Sequence, residues 1–141
     1  MSEQNIELHR RLNEVFNARD VDAYLAFCDP QIELHTAVTG PGPAVYHGHD
    51  GVRKWHTEIA DAFGGEIRVE PEAFFDVGEH TISFHVLHGR GQQSGADVAT
   101  PAAHLCRWRE GRIVYFKGYL QREDAFRDLG VSIEAFEEIA P

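Results

Sequence analysis

The order of hydrophobic patterns constrains this chain most. Between residues 66 and 121 lie four long strand-like segments, about 66–77, 79–90, 97–109 and 112–121. Asp76-Val-Gly-Glu79 and Glu110-Gly111 are tight-turn signals, and Gln92–Asp97 reads as a polar hairpin loop. Helical patterns come before them. Leu8, Leu12, Val15 and Phe16 stripe residues 3–17, and Asp20 caps a second helix with Val21, Tyr24, Leu25 and Cys28 on one side. Asp29-Pro30 ends that helix. Residues 31–36 alternate as a first strand, with Ile32 and Leu34 on one side and Gln31, Glu33 and His35 on the other.

Residues 37–48 are rich in Gly and Pro and read as a long, functional loop. A central helix then spans about 50–63, with Val52, Trp55, His56, Ile59 and Phe63 on its buried stripe and Gly64-Gly65 as its stop. Residues 122–129 and 132–139 read as two short helices. Pro71 and Pro101 sit inside strand patterns and predict an edge or a bulge. Helices followed by a run of antiparallel strands predict an α+β fold. The sheet must twist and curl, giving a cone whose concave face the N-terminal helices cover. Such a cone is a small-molecule pocket. The expected core includes Leu12, Phe16, Leu25, Val52, Trp55, Ile59, Phe84, Val86 and Ile113.

Length and charge narrow the partners. The 141 residues make one domain, 1–141, large enough for a real core. The formal charge of −10, from 23 acids against 13 bases, argues against nucleic acid and anionic membranes. No apolar run approaches a membrane span, and the first residues lack signal-peptide character, so the expected location is the cytoplasm. Cys28 and Cys106 are distant in sequence and form no redox motif.

The nine histidines carry the functional signal. His56 interrupts an apolar stripe. On the strand 97–109, Ala102, His104, Cys106 and Trp108 oppose Ala103, Leu105, Arg107 and Arg109; the arginines seek solvent, so His104 faces in. On 79–90 the apolar set Ile82, Phe84 and Val86 is expected to line the cone with His88, leaving His85 outside. On the last strand Ile113, Tyr115, Lys117 and Tyr119 share a parity that a bulge would swap in part. Ala103, Leu105, Val114, Phe116 and Leu120 form an apolar convex face, which suggests a homodimer.

Three motifs carry a family resemblance. They are Asp20-Val-Asp-Ala-Tyr-Leu-Ala-Phe27, the helix entry Gly48-His-Asp-Gly-Val-Arg-Lys-Trp55, and Arg107-Trp-Arg-Glu-Gly-Arg-Ile-Val114 followed by Tyr119. With Asp29–His35 they resemble SnoaL-like proteins of the nuclear transport factor 2-like superfamily, over about Leu8–Gly130. That superfamily includes ketosteroid isomerases and polyketide cyclase-like enzymes. The resemblance implies the same cone. It matches His35 to the isomerase base, His56 to a pocket Tyr of the central helix, and His104 to a pocket acid. The carboxylate base and the Tyr-plus-acid oxyanion hole are absent, which argues against ketosteroid isomerisation.

The expected site is therefore His104, His35 and His56 as acid–base residues, with Trp55, Phe84, His88, Trp108 and Tyr119 as ligand walls. The expected chemistry is cofactor-independent: cyclisation, isomerisation, dehydration or hydrolysis of a small apolar carbonyl compound, polyketide-like or terpenoid. The competing reading is a non-catalytic binder of small hydrophobic ligands; a third is an interaction protein. A zinc site of His35, His56 and His104 is a weaker rival, since no short-spaced ligand pair supports it, and no metal or cofactor is expected.

Overall fold

A computed structural model describes residues 2–37, 44–63, 65–90 and 97–141. Three helices come first in space: α1 (Ser2–Asn17), α2 (Val21–Ala26) and α3 (Gly48–Phe63). The strands are β1 (Cys28–His35), β2 (Val45–His47), β3 (Arg68–Val77), β4 (His80–Arg90), β5 (Asp97–Arg109) and β6 (Arg112–Tyr119), followed by α4 (Glu123–Asp128). They form one sheet in the order β2-β1-β6-β5-β4-β3. All neighbours are antiparallel except β1 with β6. The fold is α+β, as the pattern order implies.

Helices α1 to α3 pack on one face of the sheet, here the inner face. Its core holds Leu12, Phe16, Tyr24, Leu25, Ile32, Leu34, Val52, Trp55, Ile59, Val69, Trp108, Ile113 and Phe116. The outer face is covered as well: Ala73, Phe75, Ile82, Ala103, Leu105 and Tyr119 pack under Ala125 and Phe126 of α4. Helices thus lie on both faces, not one. Two of the expected core residues, Phe84 and Val86, belong to the outer face and are only partly buried.

Several local expectations need correction. Cys28 starts β1 instead of ending α2, and Pro30 lies within β1 where its pairing with β6 shifts register. β2 is a three-residue strand inside the expected loop, half of which (38–43) falls outside the described residues, as do residues 92–96 of the expected hairpin loop. Gly48 joins β2 to α3 at φ +69°, and a Cβ there would lie 3.2 Å from the Pro30 carbonyl oxygen, so the joint needs glycine. Pro71 does sit at a bulge on the edge strand β3. Pro101 is in an inner strand without a bulge, but β6 pairs only from Ala103 onward, so its missing N–H costs no ladder bond there. Residues 132–139 hold only a 3-10 turn, Ile133–Ala135; then Ile139 exchanges two 2.8 Å backbone hydrogen bonds with Phe74 and shields the β3 edge. Of the apolar set expected on a dimer face, Phe116 turns inward and Ala103 and Leu105 lie under α4; Val114 is half-buried and Leu120 is 47% exposed.

Trp55 is the keystone of the α3–sheet contact. Its ring lies 5.9 Å from those of Phe16 and Phe116 and 6.0 Å from Tyr24, and its Nε1–H donates to Thr36 Oγ1 at 3.1 Å. Truncating a buried aromatic leaves both a cavity and an orphaned contact set. Trp55→Ala should lower the free energy of unfolding by about 3–5 kcal/mol, read from urea denaturation.

Candidate functional site

The site is built by strand alternation. β4 and β5 pair through eleven consecutive partners with no register break, from His80 opposite Arg107 to Arg90 opposite Asp97. Ser83 faces His104, Thr81 faces Cys106 and His85 faces Ala102, all on the inner side. Thr81, Ser83 and His85 are fully enclosed. His85 is therefore inside, and Ile82, Phe84 and His88 are outside, opposite to expectation. The apolar alternate of β4 is drawn to the outer face by α4: Phe84 packs on Phe75 at 4.9 Å and Phe126 at 5.9 Å. His88 pairs with Glu70 at 2.9 Å on that side.

Helix α1 brings two more polar groups inward. Ile6, His9, Leu12, Asn13 and Phe16 are its buried stripe, so Leu8 and Val15 are only marginal to it. His9 was not among the candidates, because an apolar-only stripe passes it over. Its ring is satisfied and neutral. Trp108 Nε1–H donates to Thr81 Oγ1 at 2.8 Å, and the Thr81 hydroxyl in turn donates to His9 Nδ1 at 2.7 Å. That assignment leaves His9 Nε2–H facing Cys106 Sγ at 3.8 Å. Burial, and then the neighbouring His85, push its pKa down to about 3. His9 and Trp108 are structural members of this string.

His85 and His104 are different. Their rings stand 4.1 Å apart, tilted by 50°. His85 Nδ1 is 3.3 Å from Ser83 Oγ, but its Nε2 has no partner. His104 packs on Phe116 at 4.7 Å, and its Nδ1 has no partner. The residue keeps partial solvent exposure although that nitrogen is enclosed. Asn13, one turn beyond His9 on α1, also has an enclosed, unpartnered Nδ2. A folded protein seldom leaves such groups bare; each costs about 1–3 kcal/mol unless water or a ligand meets it. Burial holds His104 well below the ordinary histidine range, with His85 and His9 adding to it. Burial, then Arg122, lowers His85 to about 4.

The other expected residues divide between the two faces. Trp55 and His56 are inner. His56 touches Tyr24 at 4.5 Å, Trp55 at 5.0 Å and Phe16 at 5.7 Å; its Nε2 is enclosed without a partner, and burial lowers its pKa to about 4. His35 is outer: it follows the parity of Glu33, to which it bonds at 2.5 Å, and lies 5.1 Å from the Tyr115 ring. Tyr119 is also outer, donating to Asp128 at 2.6 Å. The bulge between Arg107 and Trp108 turns Ile113 and Phe116 inward and Tyr115, Lys117 and Tyr119 outward. The three expected histidines therefore do not share one cavity. His35 is separated from the others by the sheet, which also breaks up the trio weighed as zinc ligands. Among the described residues no cluster of three metal-ligating side chains occurs.

A family model described as SnoaL-like domain matches residues 9–116, from the first inner histidine to the inner phenylalanine of β6. The chain belongs to the SnoaL-like domain family. No curated protein matches it in sequence. Among solved structures, this SnoaL-like domain is similar to a nuclear transport factor 2-like protein of unknown function from Burkholderia pseudomallei. The TM-score is 0.76 at 24% identity, over 90% of this chain and 97% of that one. It is similar also to TerC co-crystallised with polyporic acid, at TM-score 0.73 and 20% identity over 89% and 97% of the two chains. A third is a protein of ketosteroid isomerase-like fold from Catenulispora acidiphila in complex with trimethylamine, at TM-score 0.71 and 15% identity over 91% and 95%. These likenesses establish the fold. No helix among the described residues is long and apolar enough to cross a membrane.

The enclosed neutral histidines make stability depend on pH. His85 has a folded pKa near 4 against 6.5 unfolded, so below pH 6.5 the unfolded chain binds the extra proton. Stability is lost as pH falls from 6.5 towards 4. His85 alone accounts for up to about 3 kcal/mol of that loss. Urea denaturation at pH 7 and pH 4.5 should show wild type weakening and a His85→Gln variant weakening less.

Proposed function

We propose that this SnoaL-like domain is a cofactor-independent acid–base enzyme for a small apolar carbonyl compound, with His104 as the residue that moves the proton. The observation that supports it is the pair of inner-face imidazole nitrogens, His104 Nδ1 and His85 Nε2, that have no partner among the described residues. Ser83 beside His85 puts modest polarity there, and Phe116 supplies apolar wall 4.7 Å from the His104 ring, with Trp55 5.9 Å behind it. A ligand with an aromatic or aliphatic body and one or two oxygens suits that mixture. That a relative of the same fold was co-crystallised with polyporic acid is in keeping with it.

The chemistry follows from the environment of the imidazoles. At neutral pH both rings are uncharged. A neutral imidazole accepts a proton from a carbon next to a carbonyl, or donates its N–H to the carbonyl oxygen. The imidazolium formed in an enclosed site is a strong acid and returns the proton readily to carbon or oxygen. An enolate forming beside it offsets the desolvation of that charge. This cycle covers isomerisation, aldol cyclisation and dehydration without any electron acceptor. His104 leads because it lies on an inner strand paired on both sides, where a rigid frame holds it. His85 sits against it as hydrogen-bond donor. Binding without turnover is the second reading, favoured by the same bare nitrogens.

A panel of small aromatic and alicyclic ketones, diketones and hydroxyketones should contain compounds that raise Tm and are converted. With such a substrate His104→Ala should lose about 10²–10⁴ in kcat while the circular dichroism spectrum is kept. Normal turnover by that variant would end the acid–base assignment. Tight binding with no conversion of any compound would leave the binder.

A further inference from the structure

A recess lies on the helical side, and His104 is not among its lining residues. It has a volume of about 330 Å³ and is walled by Phe16, Val21, Ile59, Ala60 and Ile67, with Arg19, Arg53, His56 and Thr57 as its polar members. That volume is at the small end of the range for ligand sites, about 300–1,000 Å³. The geometry points to a binding site for a small amphiphilic carboxylate, its apolar body against Phe16, Val21, Ile59 and Ile67 and its carboxylate against Arg19.

Four observations support this. First, Arg19 has no carboxylate partner among the described residues; its Nη1–H donates only to the Ile67 carbonyl at 3.0 Å. Its remaining donors and its full charge stay available, and a guanidinium fork matches a carboxylate. Second, Arg19 is held at φ 58°, a left-handed backbone that is strained for a non-glycine residue. A glycine or asparagine would fit that joint with less strain, so the arginine is held for its side chain, which binds the Ile67 carbonyl and keeps its other donors free. Third, the joint is rigid. Arg19 N–H donates to Phe16 O at 3.0 Å, and Asn17 makes two 2.8 Å hydrogen bonds to the Val69 backbone. Fourth, His56 lines the recess as a further polar member, held against Phe16 at 5.7 Å. The second cation, Arg53, is tied to Asp22 at 2.7 Å, which tempers the local charge. In a chain of net charge −10, an anion is drawn here only by this local pair and by the apolar floor.

The test needs no turnover, so it is separate from the fate of the acid–base reading. Phenylacetate and hexanoate are titrated into the protein and followed by amide NMR shifts, with phenylacetamide and hexanamide as neutral isosteres. The expected result is a saturable shift centred on residues 16–21 and 53–60 for the carboxylates and weaker binding of the amides. Arg19→Asn keeps a residue that accepts the left-handed backbone and should weaken the carboxylate about 10-fold. Asp22→Asn frees Arg53 and should tighten it. The proposal is overturned if amides bind as well as acids, if the shifts centre elsewhere, or if millimolar carboxylate gives no saturable shift. Unchanged affinity in both variants would overturn it too.

Discussion

The unbroken pairing of β4 with β5 is the constraint on which the rest depends. Side chains of a strand alternate, so one register decides the face of every residue on both strands. Here it sends Thr81, Ser83, His85, His104 and Cys106 inward together. A one-residue slip would expose that polar set and bury Arg107 and Arg109. The inner face tolerates the polar row because α1 answers it with His9 and Asn13, while α3 brings Trp55 against Phe116.

Much of the fold was legible because the long strands and turns are locally consistent. The bounds of β3 to β6 and the α3 stripe follow from period and punctuation. The inward aim of His104 followed from the solvent preference of Arg107 and Arg109, and strand parity alone had already put His35 opposite Ile32 and Leu34. It was the positional match to the isomerase base that drew His35 towards the pocket; a shift of one residue along a strand changes its face. The misreading of β4 has a different cause. Assigning apolar residues to the cone assumes a single core, but α4 builds a second one on the outer face, and it takes Ile82 and Phe84. His9 and Asn13 escaped notice for the complementary reason: a helix face that meets a polar strip of sheet is itself partly polar.

The histidines form a graded series. His9 has both nitrogens engaged, His85 has one, and His104 has an enclosed nitrogen in a residue still partly open to solvent. Full satisfaction suits architecture, and incomplete satisfaction suits a place where another molecule completes the set. Desolvation is the leading cause of the lowered pKa in all three. The proposed chemistry on this face would use imidazoles held uncharged, which sets it apart from sites that keep a carboxylate ready.

The parallel pairing of β1 with β6 has a consequence for synthesis. Cys28 lies opposite Ile113, and His35 opposite Lys117, so the first strand of the sheet waits in synthesis for the last one. Until β6 leaves the ribosome, α1 to α3 have only part of the sheet to cover, and Trp55, Leu12 and Ile32 remain without their final neighbours. The nascent chain must carry that sticky, half-built surface until β6 is made. A domain wired this way folds after translation more than during it, and relies on dilution or chaperones in the interval.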